Sequence, residues 1–172
     1  SKIANFLLTT MNIKEKGYRL NVGIIVANSD GKLLYCKRKN SDNWQFPQGG
    51  IDRNEDPFLA ALRELYEEVG IQKDKVNLIK ESENWYKYDL PRKYKKNNFL
   101  WNDFKGQKQK WFLFKLIEEV MIDLNNENNP EFDEFDWVDY WKPLDEIVEF
   151  KREIYKKVLS ELESAYKLEF DK

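Results

Sequence analysis

The chain contains no histidine, and this absence narrows the chemistry that it can perform. Without imidazole there is no His-based acid–base catalysis, and most transition-metal sites lose a usual ligand. Catalysis would then depend on carboxylates, lysine, arginine, tyrosine or a hard metal ion. The single cysteine, Cys36, excludes an intramolecular disulfide. That cysteine usage is typical of a reducing compartment, so a cytoplasmic location is expected.

Long apolar runs are also missing, and no stretch approaches the roughly 20 residues of a membrane span. We therefore expect no membrane partner. The start of the chain, residues 1–10, is too short and too weakly apolar for a secretory signal. We expect residues 1–10 to be an N-terminal extension, native or introduced, and residues 11–172 to form a single domain. A chain of 172 residues is long enough to bury a core of its own.

The net charge of −2 argues neither for nor against nucleic acid, but the charges are unevenly distributed. From Trp85 to Phe112, eight Lys or Arg residues face two Asp residues. From Met121 to Glu149, ten acidic residues face one Lys. The first segment also carries aromatic residues, so it is a plausible path for nucleic acid.

Hydrophobic patterning predicts a chain with both strands and helices. Apolar, β-branched segments separated by a Ser-Asp-Gly turn predict a hairpin from residues 18–28 and 32–39. Further strands are predicted at residues 43–47, 75–82, 84–90, 109–117 and 135–141. Polar composition predicts loops at residues 92–105 and 125–134. The last 30 residues predict helices over 143–150 and 151–168, the second with a stripe of apolar residues.

One helix has strong signals at both ends. Asp56 is a good N-cap, Pro57 suits the first helical position, and Gly70 is a good stop. The helix is therefore predicted over Pro57–Val69. Its core-facing stripe is expected to consist of Phe58, Leu62, Leu65 and Val69.

The same helix crowds three carboxylates onto one face. At about 100° per residue, Glu64, Glu67 and Glu68 share an arc of about 100°. They lie near the C-terminal end, where the helix dipole disfavours negative charge. One interpretation is an acidic helix face exposed to solvent. However, negative charges at this end destabilise the helix, and this favours a compensating cation. Oxygen ligands without His or Cys favour Mg²⁺ or Mn²⁺, ions that commonly serve phosphate chemistry.

The stretch from residue 49 to 71 resembles the Nudix box, G-x5-E-x7-R-E-U-x-E-E-x-G-U with U an aliphatic residue. It matches at every fixed position, namely Gly49, Glu55, Arg63, Glu64, Leu65, Glu67, Glu68, Gly70 and Ile71. The resemblance implies an α/β/α sandwich with a mixed sheet, in which the box forms a loop–helix–loop. It also implies hydrolysis of nucleoside diphosphates linked to another group, with Mg²⁺ or Mn²⁺ as cofactor.

The resemblance assigns roles inside the box. Glu64, Glu67 and Glu68 would be metal ligands together with the Gly49 carbonyl, and a carboxylate such as Glu64 or Glu68 would also activate water. Arg63 would orient a carboxylate. Glu55 would brace the loop. For this residue we prefer a purely structural role, as a cap, to a functional one.

Further stretches resemble one branch of the family, the bacterial RNA pyrophosphohydrolases, also described as dinucleoside polyphosphate hydrolases. They include "GYRLNVGIIV", "NWYKYDLP", "GQKQKWFLF", "PEFDEFDWVDYW" and "FKREIYKKV", and they extend from about residue 17 to 159. By this resemblance Glu131 would be a further metal ligand or the catalytic base. Arg19 and Arg38 would contact the 5′ phosphates, for which a planar guanidinium is well suited.

The remaining RNA contacts follow from the same resemblance. Phe150 would stack on a base, with a core position as the competing interpretation. Lys151 would contact phosphate, and Val148 would line the same pocket. Lys108 and Lys110 are assigned to backbone phosphates, although a solvated strand face is the competing reading.

The predicted function is hydrolysis of 5′-triphosphate or diphosphate RNA ends to monophosphate, which would trigger mRNA decay. One alternative is a hydrolase of dinucleoside polyphosphates such as diadenosine tetraphosphate. The other is a non-catalytic Nudix module that binds nucleotides or RNA, for which lost box carboxylates would be expected. An activating protein partner is left open by the sequence.

Overall fold

The computed structural model describes residues 14, 15, 17–95 and 104–171. Within these residues, nine strands join one mixed sheet. The strands are β1 (Lys14–Glu15), β2 (Tyr18–Ala27), β3 (Leu33–Arg38), β4 (Trp44–Gln45), β5 (Gln48–Gly50), β6 (Val76–Glu81), β7 (Tyr86–Asp89), β8 (Gly106–Leu116) and β9 (Phe132–Val138).

Strand β2 lies at the centre of the sheet. It runs parallel to β8 along its whole length and antiparallel to β3, which confirms the predicted first hairpin. The short β5 pairs with the first half of β2, so that Val22 lies opposite Gly49. This pairing fixes the glycine turn of the box against the middle of the sheet.

Helices cover both faces of the sheet, as in the predicted α/β/α sandwich. They are α1 (Pro57–Val69), α2 (Arg92–Lys95), α3 (Pro143–Glu146) and α4 (Glu149–Phe170), with a 3₁₀ turn at Lys73–Lys75. Helix α1 packs on one face of β2 and β8, and α4 packs on the other. Alternate strand residues therefore point to one helix layer or the other. None of the described helices has the length and hydropathy that a membrane span requires.

Local chemistry sets the ends of α1 where the sequence predicted them. The Asp56 carboxylate accepts the Phe58 N–H at 2.8 Å, which satisfies one unpaired donor of the first turn. Gly70 adopts the left-handed conformation, with φ of 72°, and its N–H closes the last turn on the Tyr66 carbonyl. Leu65 and Val69 are buried, while Phe58 and Leu62 pack at the edge of the same core.

Several predicted boundaries differ from the structure. The last strand begins at Phe132, inside the predicted acidic loop, because its residues pair with β3. The C-terminal helical region is broken at Ile147 and Val148, which are extended, so α3 and α4 are separate. A short helix, Arg92–Lys95, opens the predicted basic loop, and residues 96–103 lie outside the described part, as do residues 1–13.

Candidate functional site

The carboxylates of α1 lie against the glycine turn that precedes the helix. A Cβ atom at position 49 would overlap the Glu64 carboxyl group, so only glycine permits this approach. The Gln48 N–H lies 3.3 Å from the Glu68 carboxylate and donates to it. Glu68 is only 5% exposed. The fold thus places two box carboxylates against the backbone of Gln48 and Gly49.

Burial and mutual repulsion change the acidity of these two groups. Burial raises the pKa of Glu64 to about 7, against the opposing effect of the Arg63 guanidinium. Burial also raises the pKa of Glu68 well above its usual range, and the charges of Glu64 and Glu131 add to this effect. Carboxylates crowded in this way are strongly stabilised by a cation.

Arg63 is the main positive charge in contact with the box. Its Nε and Nη2 donate to the two oxygens of Glu55, at 2.8 and 2.9 Å, and Nη2 also donates to the Gly50 carbonyl. Its Nη1 donates to Glu64 at 2.8 Å and to Glu67 at 3.2 Å. Glu55 in turn accepts the Asp52 N–H. Arg63 thus connects Glu55, Glu64 and Glu67, and its orienting role and the bracing role of Glu55 stay predictions.

The loop before β9 brings further acids to the same cluster. Asn126 anchors it to α1, since its side-chain amide donates to the Tyr66 carbonyl at 2.6 Å. Burial raises the pKa of Glu127, and the nearby charges of Glu67 and Glu131 add to the rise. The charge of Glu131 also raises the pKa of Glu68, although the two residues are distant in sequence. The sequence pattern did not single out Glu127, because it is one acid among ten in an acidic segment.

The donor set fits a divalent cation. It is made of carboxylate oxygens, and it includes the buried Glu68 and the half-buried Glu64, whose charge raises the pKa of Glu68. In the part of the chain that the structure describes, no three such side chains already converge as a metal cage. The Nη1 of Arg63 contacts the oxygens of both Glu64 and Glu67. The ligand roles of Gly49, Glu64, Glu67, Glu68 and Glu131 stay predictions.

A pocket of about 370 Å³ opens beside this cluster, on the side of the sheet that α4 covers. Its lining includes four of the predicted RNA contacts, namely Arg38, Val148, Phe150 and Lys151. The Phe150 ring lies 5.7 Å from the ring of Tyr88, and together they form an aromatic wall. We call this cavity the α4 pocket.

Lys151 is a buried cation at the base of the α4 pocket. It is 6% exposed, and its ammonium group donates to the side-chain oxygens of Gln45 and Gln48, each at 3.3 Å. Burial lowers the pKa of Lys151 to about 7, the charge of Arg38 lowers it further, and that of Glu68 opposes them. An anion entering the α4 pocket would favour the charged form.

The other predicted phosphate contacts lie away from the lining of the α4 pocket. The Arg19 guanidinium packs over the backbone of Gly50, so a Cβ there would meet it. Lys108 and Lys110 share the face of β8 that continues into the α1 layer, and each ammonium lies 5.8 Å from the Trp85 ring centre. Their assignment to RNA phosphates stays a prediction.

The sequence pattern missed a group of amides at the floor of the α4 pocket, of which Asn21, Gln107 and Gln109 are buried. Strands β2, β5 and β8 contribute Asn21, Gln48, Gln107 and Gln109. A signal was present, since Asn21 and Gln109 are polar residues on the inward face of strands that are otherwise apolar. Asn21 and Gln109 meet because the parallel register of β2 and β8 places them directly opposite each other.

Comparison with known proteins agrees with these features. The model of the NUDIX domain matches residues 17–158. The chain is 45% identical to an RNA pyrophosphohydrolase of Methylococcus capsulatus over 154 residues, which is 89% of this chain and 80% of that protein. It is also 45% identical to an RNA pyrophosphohydrolase of Vibrio cholerae over 152 residues, covering 86% of each.

Solved structures share the fold at low sequence identity. A Caenorhabditis elegans Ap4A hydrolase in a binary complex has a TM-score of 0.59 at 17% identity, covering 84% of this chain and 98% of that one. The Escherichia coli dihydroneopterin triphosphate pyrophosphohydrolase has a TM-score of 0.64 at 18% identity, covering 84% and 99%. At such identities the likeness establishes the architecture alone.

Proposed function

The chain belongs to the Nudix family of hydrolases, and from this premise we propose that it is an RNA 5′-pyrophosphohydrolase. The observation that carries the proposal is that Gln48 contacts both a box carboxylate and the α4 pocket. Its backbone N–H holds a box carboxylate, and its side chain lines the α4 pocket and contacts Lys151. A polyphosphate and the base next to it would therefore occupy adjoining sites.

The proposed reaction adds water across a phosphoanhydride bond. A 5′-triphosphate end yields a monophosphate end and pyrophosphate, or two orthophosphates with a second water. A 5′-diphosphate end yields a monophosphate end and orthophosphate. Conversion to the monophosphate is the step that would expose a transcript to decay.

The residues of the α4 pocket would bind and orient the RNA end. Arg38 and Lys151 supply positive charge for phosphate oxygens, and Phe150 supplies an aromatic face for a base. Val148 lines the same space. Stacking tolerates any base, which suits an enzyme that acts on many transcripts.

The carboxylates would hold the metal and move the proton. The family uses divalent metal ions, and we propose Mg²⁺, with Mn²⁺ as a substitute, held by Glu64, Glu67, Glu68, Glu131 and the Gly49 carbonyl. When bound, such an ion neutralises phosphate charge and lowers the pKa of water. Glu68 or Glu131 would accept the proton of the attacking water, and Arg63 would keep Glu64 in place.

The test is product release from a short 5′-triphosphorylated RNA with Mg²⁺, compared with diphosphorylated RNA, diadenosine tetraphosphate and a nucleotide sugar. We expect pyrophosphate or phosphate and a monophosphorylated RNA. No release from either RNA, with rapid cleavage of the dinucleotide, would instead establish the dinucleoside polyphosphate hydrolase.

Replacing one box carboxylate separates an enzyme from a binding module. Glu68→Gln should lower turnover on the order of a hundredfold or more, because it removes a ligand or base. The variant should stay folded, since Gln keeps the size of the side chain. A non-catalytic module would show the same low phosphate release before and after the change.

A further inference from the structure

The amides at the floor of the α4 pocket form a chain of hydrogen bonds in which each donor and acceptor is matched. The Gln109 amide nitrogen donates to the Asn21 side-chain oxygen at 2.8 Å and to the Gln48 side-chain oxygen at 3.2 Å. The Gln48 amide nitrogen donates to the Gln107 side-chain oxygen at 3.4 Å. That oxygen also accepts the hydroxyl proton of Tyr88.

The orientation of these amides matters at Lys151. The Lys151 ammonium is only a donor, so it needs the oxygen of Gln48 and not its NH₂ group. If the Gln48 carboxamide turned over, two donors would face each other at Lys151, and two acceptors would face each other at Gln107. The Gln109 nitrogen donates to the same Gln48 oxygen as Lys151, so its contact favours the orientation that Lys151 needs and would be lost in the turned one.

Gln109 itself is remote from substrate. It is 1% exposed and is not part of the lining of the α4 pocket. Its position is set by β8, which places it opposite Asn21 of β2. A buried amide destabilises the folded chain unless it is hydrogen-bonded, whereas apolar side chains at the same positions would carry no such cost.

We propose that Gln109 is a positioning residue for substrate binding, which orients the Gln48 carboxamide so that its oxygen holds Lys151 in place for a phosphate or base of the RNA end. This deepens the proposed function and rests on it for the identity of the ligand. Gln109 acts through Gln48 and touches no reacting atom.

The first experiment needs no substrate. Lysine labelled with ¹³C at the ε-carbon is incorporated, and the Lys151 signal is identified by its loss in Lys151→Met. In Gln109→Met, Lys151 loses the fixed acceptor, so its pKa should fall and its signal should shift. Ser82→Ala is the matched control, because it removes another buried polar group that contacts the backbone of β8 at Trp111. It should leave the Lys151 signal in place.

The second experiment measures KM and kcat on the substrate that the wild-type protein hydrolyses. Gln109→Met should raise KM roughly tenfold, the cost of a hydrogen bond to a charged group, with kcat little changed. In the Lys151→Met background the same change should have almost no effect, because the group that it positions is gone. Gln48→Met, which keeps the backbone N–H to Glu68, is the second variant if Gln109→Met does not fold.

The outcomes separate the two proposals. If triphosphorylated RNA is not hydrolysed by the wild-type protein, the proposed function fails, while the Lys151 signal and the kinetics on diadenosine tetraphosphate still test Gln109. Independent, multiplying effects of the Gln109 and Lys151 changes would overturn the positioning role. So would an unshifted Lys151 signal, or a loss in kcat alone.

Discussion

The Arg38 guanidinium lies 3.9 Å from the Glu131 carboxylate and so joins the rim of the α4 pocket to the acidic loop. Both side chains are about half exposed, at 46% and 51%, and such pairs contribute little to stability. Arg38 can therefore exchange Glu131 for a phosphate at small cost.

Arg38→Met should raise KM for triphosphorylated RNA roughly tenfold or more, because a charge-assisted contact to phosphate is lost. The free energy of unfolding should change little. Steady-state kinetics and urea denaturation check the two expectations. Lys157→Met is the control, since it removes an exposed charge from α4 outside the pocket lining. Equal effects of both changes on KM would mean that only overall charge matters.

Arg63→Lys should weaken metal binding by about 10- to 100-fold, as expected when a residue that orients metal ligands is lost. Lysine keeps the charge but has no planar fork to hold Glu55 and Glu64 together. Manganese binding, followed by the loss of the free-ion signal in electron paramagnetic resonance, measures this without turnover. An unchanged manganese affinity would contradict the orienting role of Arg63.

Phe150→Leu should raise KM for RNA by roughly 5- to 150-fold, since stacking on an aromatic side chain contributes about 1–3 kcal/mol per base. Phe150→Tyr keeps the ring and should bind RNA nearly as well as wild type. Fluorescence titration of a short 5′-monophosphorylated RNA reports binding directly. If the leucine variant binds as tightly as the tyrosine variant, Phe150 has only a packing role beside Tyr88.

Lys151 should make stability depend on pH in a defined window. Burial lowers its pKa from 10.5 to about 7 in the folded chain. Between these values the unfolded chain binds more protons, so this residue makes stability rise with pH from about 7 to 10.5. At pH 7 and below, its destabilising effect is complete.

Lys151→Met should therefore unfold at higher urea concentration than wild type at pH 7, and the difference should shrink as pH approaches 10. Urea midpoints of both proteins between pH 6.5 and 9.5, compared at equal slopes, test this. A constant difference across that range would mean that Lys151 keeps an ordinary pKa in the folded protein.

The sequence by itself determined the box helix and most of the strands. Asp56, Pro57 and Gly70 act on neighbouring backbone groups, so residues close in sequence determine where α1 begins and ends. The spacing of the box likewise determines which carboxylates share a helix face. Composition excluded histidine chemistry before any fold was known.

Only the tertiary structure decided which side chains meet across the sheet. Asn21 and Gln109 are 88 positions apart, and the parallel register of β2 and β8 brings them together. The orientation of Gln48, the burial of Lys151 and the approach of Arg38 to Glu131 depend in the same way on how distant elements pack. Local sequence patterns do not predict these contacts between distant residues. Strand order and register depend on burial of the whole sheet between α1 and α4.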